Sequence, residues 1–287
     1  MRIIGEIMKK RLIVISDKKD PYVNHAAEEI LFTTYSGYEQ ILFLWVNEPS
    51  VVFGRNQNPW REVDVKFADD HGIKLLRRIS GGGTVYHDHG NLNYAFIEKH
   101  SIYDEKQHFD IIMEAVKRLG VILSTSKRKD LTVDGYKVSG SAFFMKGMRR
   151  LHHGTLLVDA DLDVLWQSLK VKDETFKRRF KEGRSIESVS SPVINLKDLV
   201  PNLMVSDVVN AIVDVFYEHC KYEVDVLSVQ DVLTAHEPTA QRLIEKHASW
   251  AWIFGETPNF TYIAEEGHVY EIAGGKVMPN GDINSIF

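Results

Sequence analysis

Residues 77–97 read RRISGGGTVYHDHGNLNYAFI, and no other stretch constrains the fold as tightly. Three successive glycines stand between two segments with strand character, Lys74–Ile79 and Asn91–Ile97. In the second, Leu92, Tyr94 and Phe96 share one side and Asn93, Ala95 and Ile97 the other. Glycine permits positive φ and a close backbone approach, at a cost in chain entropy. One reading is a glycine-rich turn flanked by surface arginines. The other is an anion cradle, in which successive peptide N–H groups face one concavity. Strand alternation sends Arg77 and Arg78 to opposite faces, so one guanidinium can enter such a pocket while the other faces elsewhere. The pattern is neither a P-loop nor a dinucleotide fingerprint, because GxxxxGK[ST] is absent and the residues after the glycines read as strand, not helix.

Around this stretch the chain alternates short strands with helices. Arg11–Ser16 reads as a first strand, and Asp20-Pro21 opens a helix. ILFLWV (41–46) and SVVFG (50–54), separated by Asn47-Glu48-Pro49, look hairpin-like. One helix is expected from Pro59 to about His71, one over 105–119 with Gly120 at its end, one over Ala160–Leu169, one over 206–219 and one near 238–247. Asp134-Gly135 between Leu131–Val133 and Tyr136–Val138 is a strong hairpin signal, and HGTLLV (153–158) is a further strand. Residues 170–191, polar and basic, read as a mobile surface segment or marginal helix. The sum is an α+β chain: a mixed, mostly antiparallel β-sheet flanked by helices.

Composition narrows the function. A net charge of −5 over 287 residues gives no global basic footprint for nucleic acid. The longest apolar run, Ile41–Val46, is far too short to span a membrane, and no signal peptide is evident at the N-terminus. A single cysteine, Cys220, precludes an intramolecular disulfide and suggests a reducing compartment. It lies in the last turn of an expected helix, which suits a packing or surface thiol.

Lys137 is the second candidate feature. It sits in DGYKVSGSAFF among apolar neighbours, either on the solvent face of a hairpin or held in a pocket to neutralise developing negative charge. Ser139-Gly140-Ser141 offers another place for backbone to approach a ligand. His87-Asp88-His89 and His152-His153 are weak metal candidates, since adjacent strand residues point to opposite faces and no CxxC or HExxH accompanies them. A Ser–His–Asp hydrolase is disfavoured by the absence of GxSxG.

These residues resemble a known family. RRISGGGTVYHDHGN is similar to the lipoate–protein ligase pattern RRxSGGGxVxHDxGN, KVSGSA (137–142) to the family's lysine motif, and HHGTLLV (152–158) to the strand after it. FLWVNEPSVVFGRNQNPWREV (43–63) and WAWIFGETPNF (250–260) extend the resemblance over roughly residues 11–260. It implies a biotin/lipoate ligase-like fold with a small C-terminal domain or remnant: a catalytic domain over 1–245 and a short accessory segment over 246–287. It implies an ATP-dependent ligase that converts lipoate and ATP, with Mg²⁺, to lipoyl-AMP. The lipoyl group then passes to a lysine of apo lipoyl domains, on 2-oxoacid dehydrogenase E2 subunits or the glycine-cleavage H protein. The alternative is a lipoyltransferase that starts from preformed lipoyl-AMP or lipoylated protein. A cytoplasmic protein with neither nucleic-acid nor membrane partners is expected.

Carried over by motif, Lys137 is the catalytic residue and touches both the lipoate carboxyl and the α-phosphate. Arg78 and the loop Gly81, Gly82, Gly83, Thr84, Val85 and Tyr86 hold ATP and lipoyl-AMP. Asp130 assists the nucleotide or Mg²⁺. Ser80 and His87 shape the pocket, with Ser139, Gly140, His153, Gly154 and Thr155 along it. The cysteine-dependent octanoyltransferase and amidotransferase branches fit less well, because no cysteine lies near Lys137 or His153. Two departures stand out. Lys129 replaces the asparagine common before the lysine hairpin, and Ser190 stands where an arginine is common, with Arg184 nearby.

Overall fold

The computed structural model describes residues 10–169, 174–181, 183–220, 223–279, 281 and 283. Six strands form the central sheet, in the spatial order 141–146, 149–157, 91–99, 40–46, 10–15 and 223–228. Lys10–Ile15 pairs in parallel with both its neighbours, while the other three pairings are antiparallel. Helices cover both faces. Leu42, Leu44, Tyr94 and Phe96 pack against the helices Glu105–Arg118 and Val205–Glu218. Ile41, Phe43, Trp45, Ala95 and Ile97 pack against Pro21–Thr34, Val229–Ala235 and Glu237–Ala248. Burial on both faces explains why QILFLWV shows no polar alternation: all seven residues are buried. The helix Pro21–Thr34 starts where expected, with Asp20 accepting from the Tyr22 and Val23 amides and proline in the first turn.

The expected hairpin of 41–46 with 50–54 does not form. Ser50–Phe53 leaves the central sheet and founds a second one, parallel to Lys74–Arg77 and antiparallel to Val85–His87. All four of its residues are buried. A two-stranded hairpin cannot bury both faces of two apolar strands, and each finds cover in a different sheet. The buried Asn47 marks the departure, accepting from Asn24 Nδ2 (2.9 Å) and lying 3.0 Å from His87 Nδ1 through its own Nδ2.

Two other expectations change, and a third gains an anchor. The single helix over 59–71 is two, Pro59–Glu62 and Val65–Asp70, because Val63 turns inward in an extended conformation and Asp64 caps a new start at the Phe67 amide. The looser stretch before 238 contains an edge strand, Glu223–Ser228, and a helix, Val229–Ala235, begun by a Ser228/Asp231 capping box. Where it is described, the segment 170–191 holds a one-turn helix, Glu174–Lys177, and is largely exposed, but it is anchored at one point. Phe180 is buried against Trp60, Phe260 and Tyr262, and Phe180–Lys181 pairs with Phe260–Ile263. Residues 170–173 and 182 lie outside the described residues.

Phe260–Ile263, Val269–Ala273 and Lys276–Val277 complete that four-stranded sheet. The expected division after residue 245 falls inside the helix Glu237–Ala248. Among the described residues, no helix is long and apolar enough to cross a membrane.

Candidate active site

Both arginines before the glycines are buried, so the surface-turn reading fails. Strand alternation gives them different work. Arg77 is fully buried and donates to the carbonyls of Arg55, Gln57 and Ile253 and to the Thr257 hydroxyl, at 2.8–2.9 Å. It also meets the Trp252 carbonyl at 3.0 Å, and Trp252 Nε1 donates back to the Arg77 carbonyl at 2.6 Å. Arg78 points the other way, into the glycine loop. Its Nη2 donates to the Gly81 and Gly83 carbonyls at 2.6 and 2.7 Å, its Nε to Ser80 Oγ at 3.0 Å, and its Nη1 to the Val52 carbonyl at 3.1 Å. Burial lowers Arg78 to about 10 and Arg77 to about 9, so both stay charged at neutral pH.

Gly82 sits at φ 91 with Arg78 Nη2 2.8 Å from where a Cβ would stand, so only glycine fits. The Thr84 amide leaves the loop on the open side, where Ser188 Oγ accepts from it at 2.9 Å. Gln57 locks the arrangement. Its Oε1 accepts from the Gly54 amide and the Thr84 hydroxyl, and its Nε2 donates to Ser188 Oγ. The Ser188 amide donates in turn to Glu62, whose carboxyl is pushed up by burial. A serine hydroxyl thus occupies an anion-type position above the cradle.

The Asp134-Gly135 turn, with φ of 49 and 85, builds the hairpin that carries Lys137. Lys137 is not on a free solvent face. Its backbone pairs with the segment after Ser191, through the Pro192 carbonyl and the Ile194 amide. Its Nζ lies 2.8 Å from Asp130 Oδ1, at the junction of two cavities. The first, about 270 Å³, runs inward past Trp45, Val52, Ala142, His25 and His87. The second, about 170 Å³, is bordered by Tyr86, Leu157, Leu165, Trp166, Arg61 and Lys177. Lys137, Gly140, Thr84, Val85 and Thr155 belong to both. The arrangement suits two ligands, one largely apolar, whose reacting ends meet at an ammonium group.

Behind the loop, His153 links Ser80 Oγ (2.6 Å) to the buried Glu28 (2.7 Å). The distances imitate a nucleophile–base–carboxylate triad. Ser80, however, is wholly buried and accepts from Arg78, so the chain braces the cradle instead of supplying a nucleophile. His87 lines the first cavity. Its Nδ1 faces the Asn47 amide, and burial holds it well below the ordinary histidine range, hence neutral.

Most of the expected residues converge. Arg78, Gly82, Gly83, Thr84, Val85, His87, Asp130, Lys137, Gly140, His153, Gly154 and Thr155 line the first cavity, and Tyr86 and Ser139 the second. Ser80 and Gly81 stand one layer back, engaged by Arg78. His152 and His153, adjacent on one strand, face opposite sides of the sheet. Among the described residues no group of three or more His, Cys, Asp or Glu is placed to hold a metal. Lys129 keeps the left-handed φ of 64 that would suit the asparagine it replaces, and its ammonium turns to Glu105 at 2.7 Å. Arg184 is exposed and lines neither cavity; Arg128 is the basic residue beside Asp130, donating to Ser191 Oγ at 2.8 Å. His25, Trp45, Gln57, Asn93 and Ser188 were not singled out from sequence: all but His25 lie in stretches that carry the family resemblance, but no local signal aims them at the site.

The family profile for the lipoyl protein ligase A/B catalytic domain matches residues 20–217. Among solved structures, P. falciparum LipL1 in complex with lipoate has a TM-score of 0.73 at 24% identity, over 93% of this chain and 82% of that one. A bi-partite lipoate protein ligase from Thermoplasma acidophilum, studied with its E2 lipoyl domain, gives 0.69 at 28% identity, covering 86% and 96%. A lipoate-protein ligase A bound with ATP gives 0.67 at 27%, covering 85% and 98%.

Proposed function

Because the chain belongs to the lipoyl protein ligase A/B catalytic-domain family, we propose that it activates lipoate with ATP and transfers the lipoyl group to a lysine of an acceptor lipoyl domain. The observation that carries this reading is the meeting of two cavities at Lys137. The first cavity takes the acyl chain against Trp45, Val52 and Ala142. The other takes the nucleoside against Tyr86 and Leu165. In the first step the lipoate carboxylate attacks the α-phosphorus, and the bond to pyrophosphate breaks. Two anions have to meet, so charge must be neutralised where they touch. Lys137 Nζ supplies a point charge there, the buried Arg78 a fixed positive potential, and the Thr84 amide a donor once Ser188 yields. In the second step an ε-amine attacks the acyl carbon and AMP leaves with the C–O electron pair.

ATP and lipoate enter as substrates, in keeping with the neighbours that bind them. Asp130 is a single carboxylate, already paired with Lys137. That fits a Mg²⁺ delivered on the nucleotide phosphates, which needs only one or two protein carboxylates, and not a protein-built metal cage. Bound there, the ion would neutralise phosphate charge. E2 lipoyl domains and the glycine-cleavage H protein are the proposed acceptors, the first supported by the T. acidophilum pairing.

The test supplies purified protein with lipoate and MgATP, follows pyrophosphate, then adds an apo lipoyl domain and follows its mass. Pyrophosphate release and then lipoylation are expected. Lipoylation only when lipoyl-AMP is supplied, without pyrophosphate, would replace the ligase reading with a transferase.

A further inference from the structure

Beneath the site runs a buried polar chain that activation of lipoate does not use. Ser141 lines the first cavity next to Gly140, where a Cβ would stand 2.9 Å from Lys137 Nζ. On the core side, Ser141 Oγ is 3.1 Å from His152 Nε2, and His152 Nδ1 is 3.3 Å from His108 Nδ1. His108 Nε2 is 3.1 Å from Glu98 Oε1, and Glu98 also accepts from Gln40 and from the Asp104 amide. His152 and His108 are fully buried and Glu98 nearly so. Four ionisable or hydroxylic groups on separate elements line up from cavity to carboxylate inside an otherwise apolar core of Phe96, Phe109 and Phe143. Such burial costs stability unless each group is partnered.

The carboxylate sets the direction of the chain: Glu98 can only accept, and although no hydrogen bond from His108 Nε2, 3.1 Å away, is aligned on it here, a proton on Nε2 is the tautomer it favours, leaving a lone pair at Nδ1. His152 then carries its proton on Nδ1 and accepts at Nε2 from the Ser141 hydroxyl. Ser141 lines the cavity and so can offer an Oγ lone pair to a cationic amine, in competition with the Tyr94 hydroxyl beside it. Burial holds His152 well below the ordinary histidine range, which keeps it neutral and able to relay.

We propose that Ser141, His152, His108 and Glu98 form a proton relay that deprotonates the acceptor lysine for the transfer step; this rests on the ligase reading above. The lysine ammonium gives a proton to Ser141 Oγ as the serine's own proton passes to His152 Nε2. The His152 Nδ1 proton passes to His108 Nδ1 and, once the His108 ring turns to align its Nε2–H, that proton passes to Glu98. The neutral amine then attacks the acyl carbon, the N–C bond forms, and the C–O bond to AMP breaks. The second amine proton leaves with the AMP phosphate. Ser141 touches the nucleophile; the other three act through it.

The test uses the full chain with preformed lipoyl-AMP and two nucleophiles: an apo lipoyl domain and hydroxylamine, whose amine is already uncharged at neutral pH. Glu98→Gln, His108→Phe and Ser141→Ala are compared with wild type, alongside pyrophosphate release from lipoate and MgATP. Expected is a ten- to hundred-fold fall in kcat for the lipoyl domain in all three variants, with its KM, hydroxamate formation and pyrophosphate release kept within about two-fold in Glu98→Gln and His108→Phe. Equal losses with both nucleophiles would show that the cluster merely supports the fold and would overturn the relay, as would unchanged transfer to lysine in Glu98→Gln and His108→Phe. Wild-type protein that acylates neither nucleophile would overturn the ligase reading and the relay together.

Discussion

Arg77 and Arg78 are chemically identical and adjacent, yet one is structural and the other frames the site. Strand alternation predicts that they diverge; it does not predict that both are buried or which faces the ligand. Lys137 is legible in the sequence as a lysine among apolar residues, and its ion pair with Asp130 shows how it is held ready without substrate. Lys137→Ala should leave the thermal midpoint within a few degrees, because the side chain is partly exposed and packs on nothing large. Pyrophosphate release should fall by at least about a hundred-fold, the scale of losing one preorganised charge at a reacting centre. Substantial residual release would mean that charge neutralisation lies elsewhere.

At the scale of elements, the segment after residue 183 is largely exposed, as its polar composition suggests, and it also borders both cavities through Glu187, Ser188 and Val189. Ser188 accepts from the Thr84 amide, so phosphate has to displace a hydroxyl that already satisfies the donor. Ser188→Ala should therefore lower the KM for ATP a few-fold with little change in kcat, read by pyrophosphate release at varied ATP. A raised KM would show instead that the serine contacts nucleotide.

A second element-level contact clamps the first helix to the one at 237–248. Burial raises the Glu29 carboxyl, but hydrogen bonds from His247 and Lys246 outweigh it and hold the group at about 2. The folded value lies below the unfolded one. Its stabilisation is therefore complete above pH about 4.5 and fades as pH falls towards 2. Glu29→Gln should cost roughly 1–3 kcal/mol at pH 7 by urea denaturation. The gap from wild type should narrow on acidification through that window; a gap independent of pH would remove the carboxylate from the explanation.

Across the whole molecule, Arg77 ties the glycine-loop strand to residues 252–257, and Trp60 joins the C-terminal sheet to the rest. A segment that the family resemblance marks as an accessory is thus stitched to the strand that positions the cradle. Arg77→Ala strands several buried carbonyls and should cost more than about 3 kcal/mol. Limited proteolysis should then cut first near 250–257. A variant as stable and protease-resistant as wild type would show the segment to be independent.

The sequence alone determined the local grammar. Turn residues, caps and 2.0 or 3.6 periodicity placed most helices, the Lys137 hairpin and the glycine break, since each depends on neighbours a few residues away. Its motif resemblance also pointed to the residues around the site. Only the tertiary structure decided which strands share a sheet, and so separated 41–46 from 50–53. It alone brought Trp45, Gln57 and Ser188 to the site and aligned Ser141, His152, His108 and Glu98. Those pairings are long-range, and what selects them is the burial of both faces of apolar strands and the need of every buried polar group for a partner.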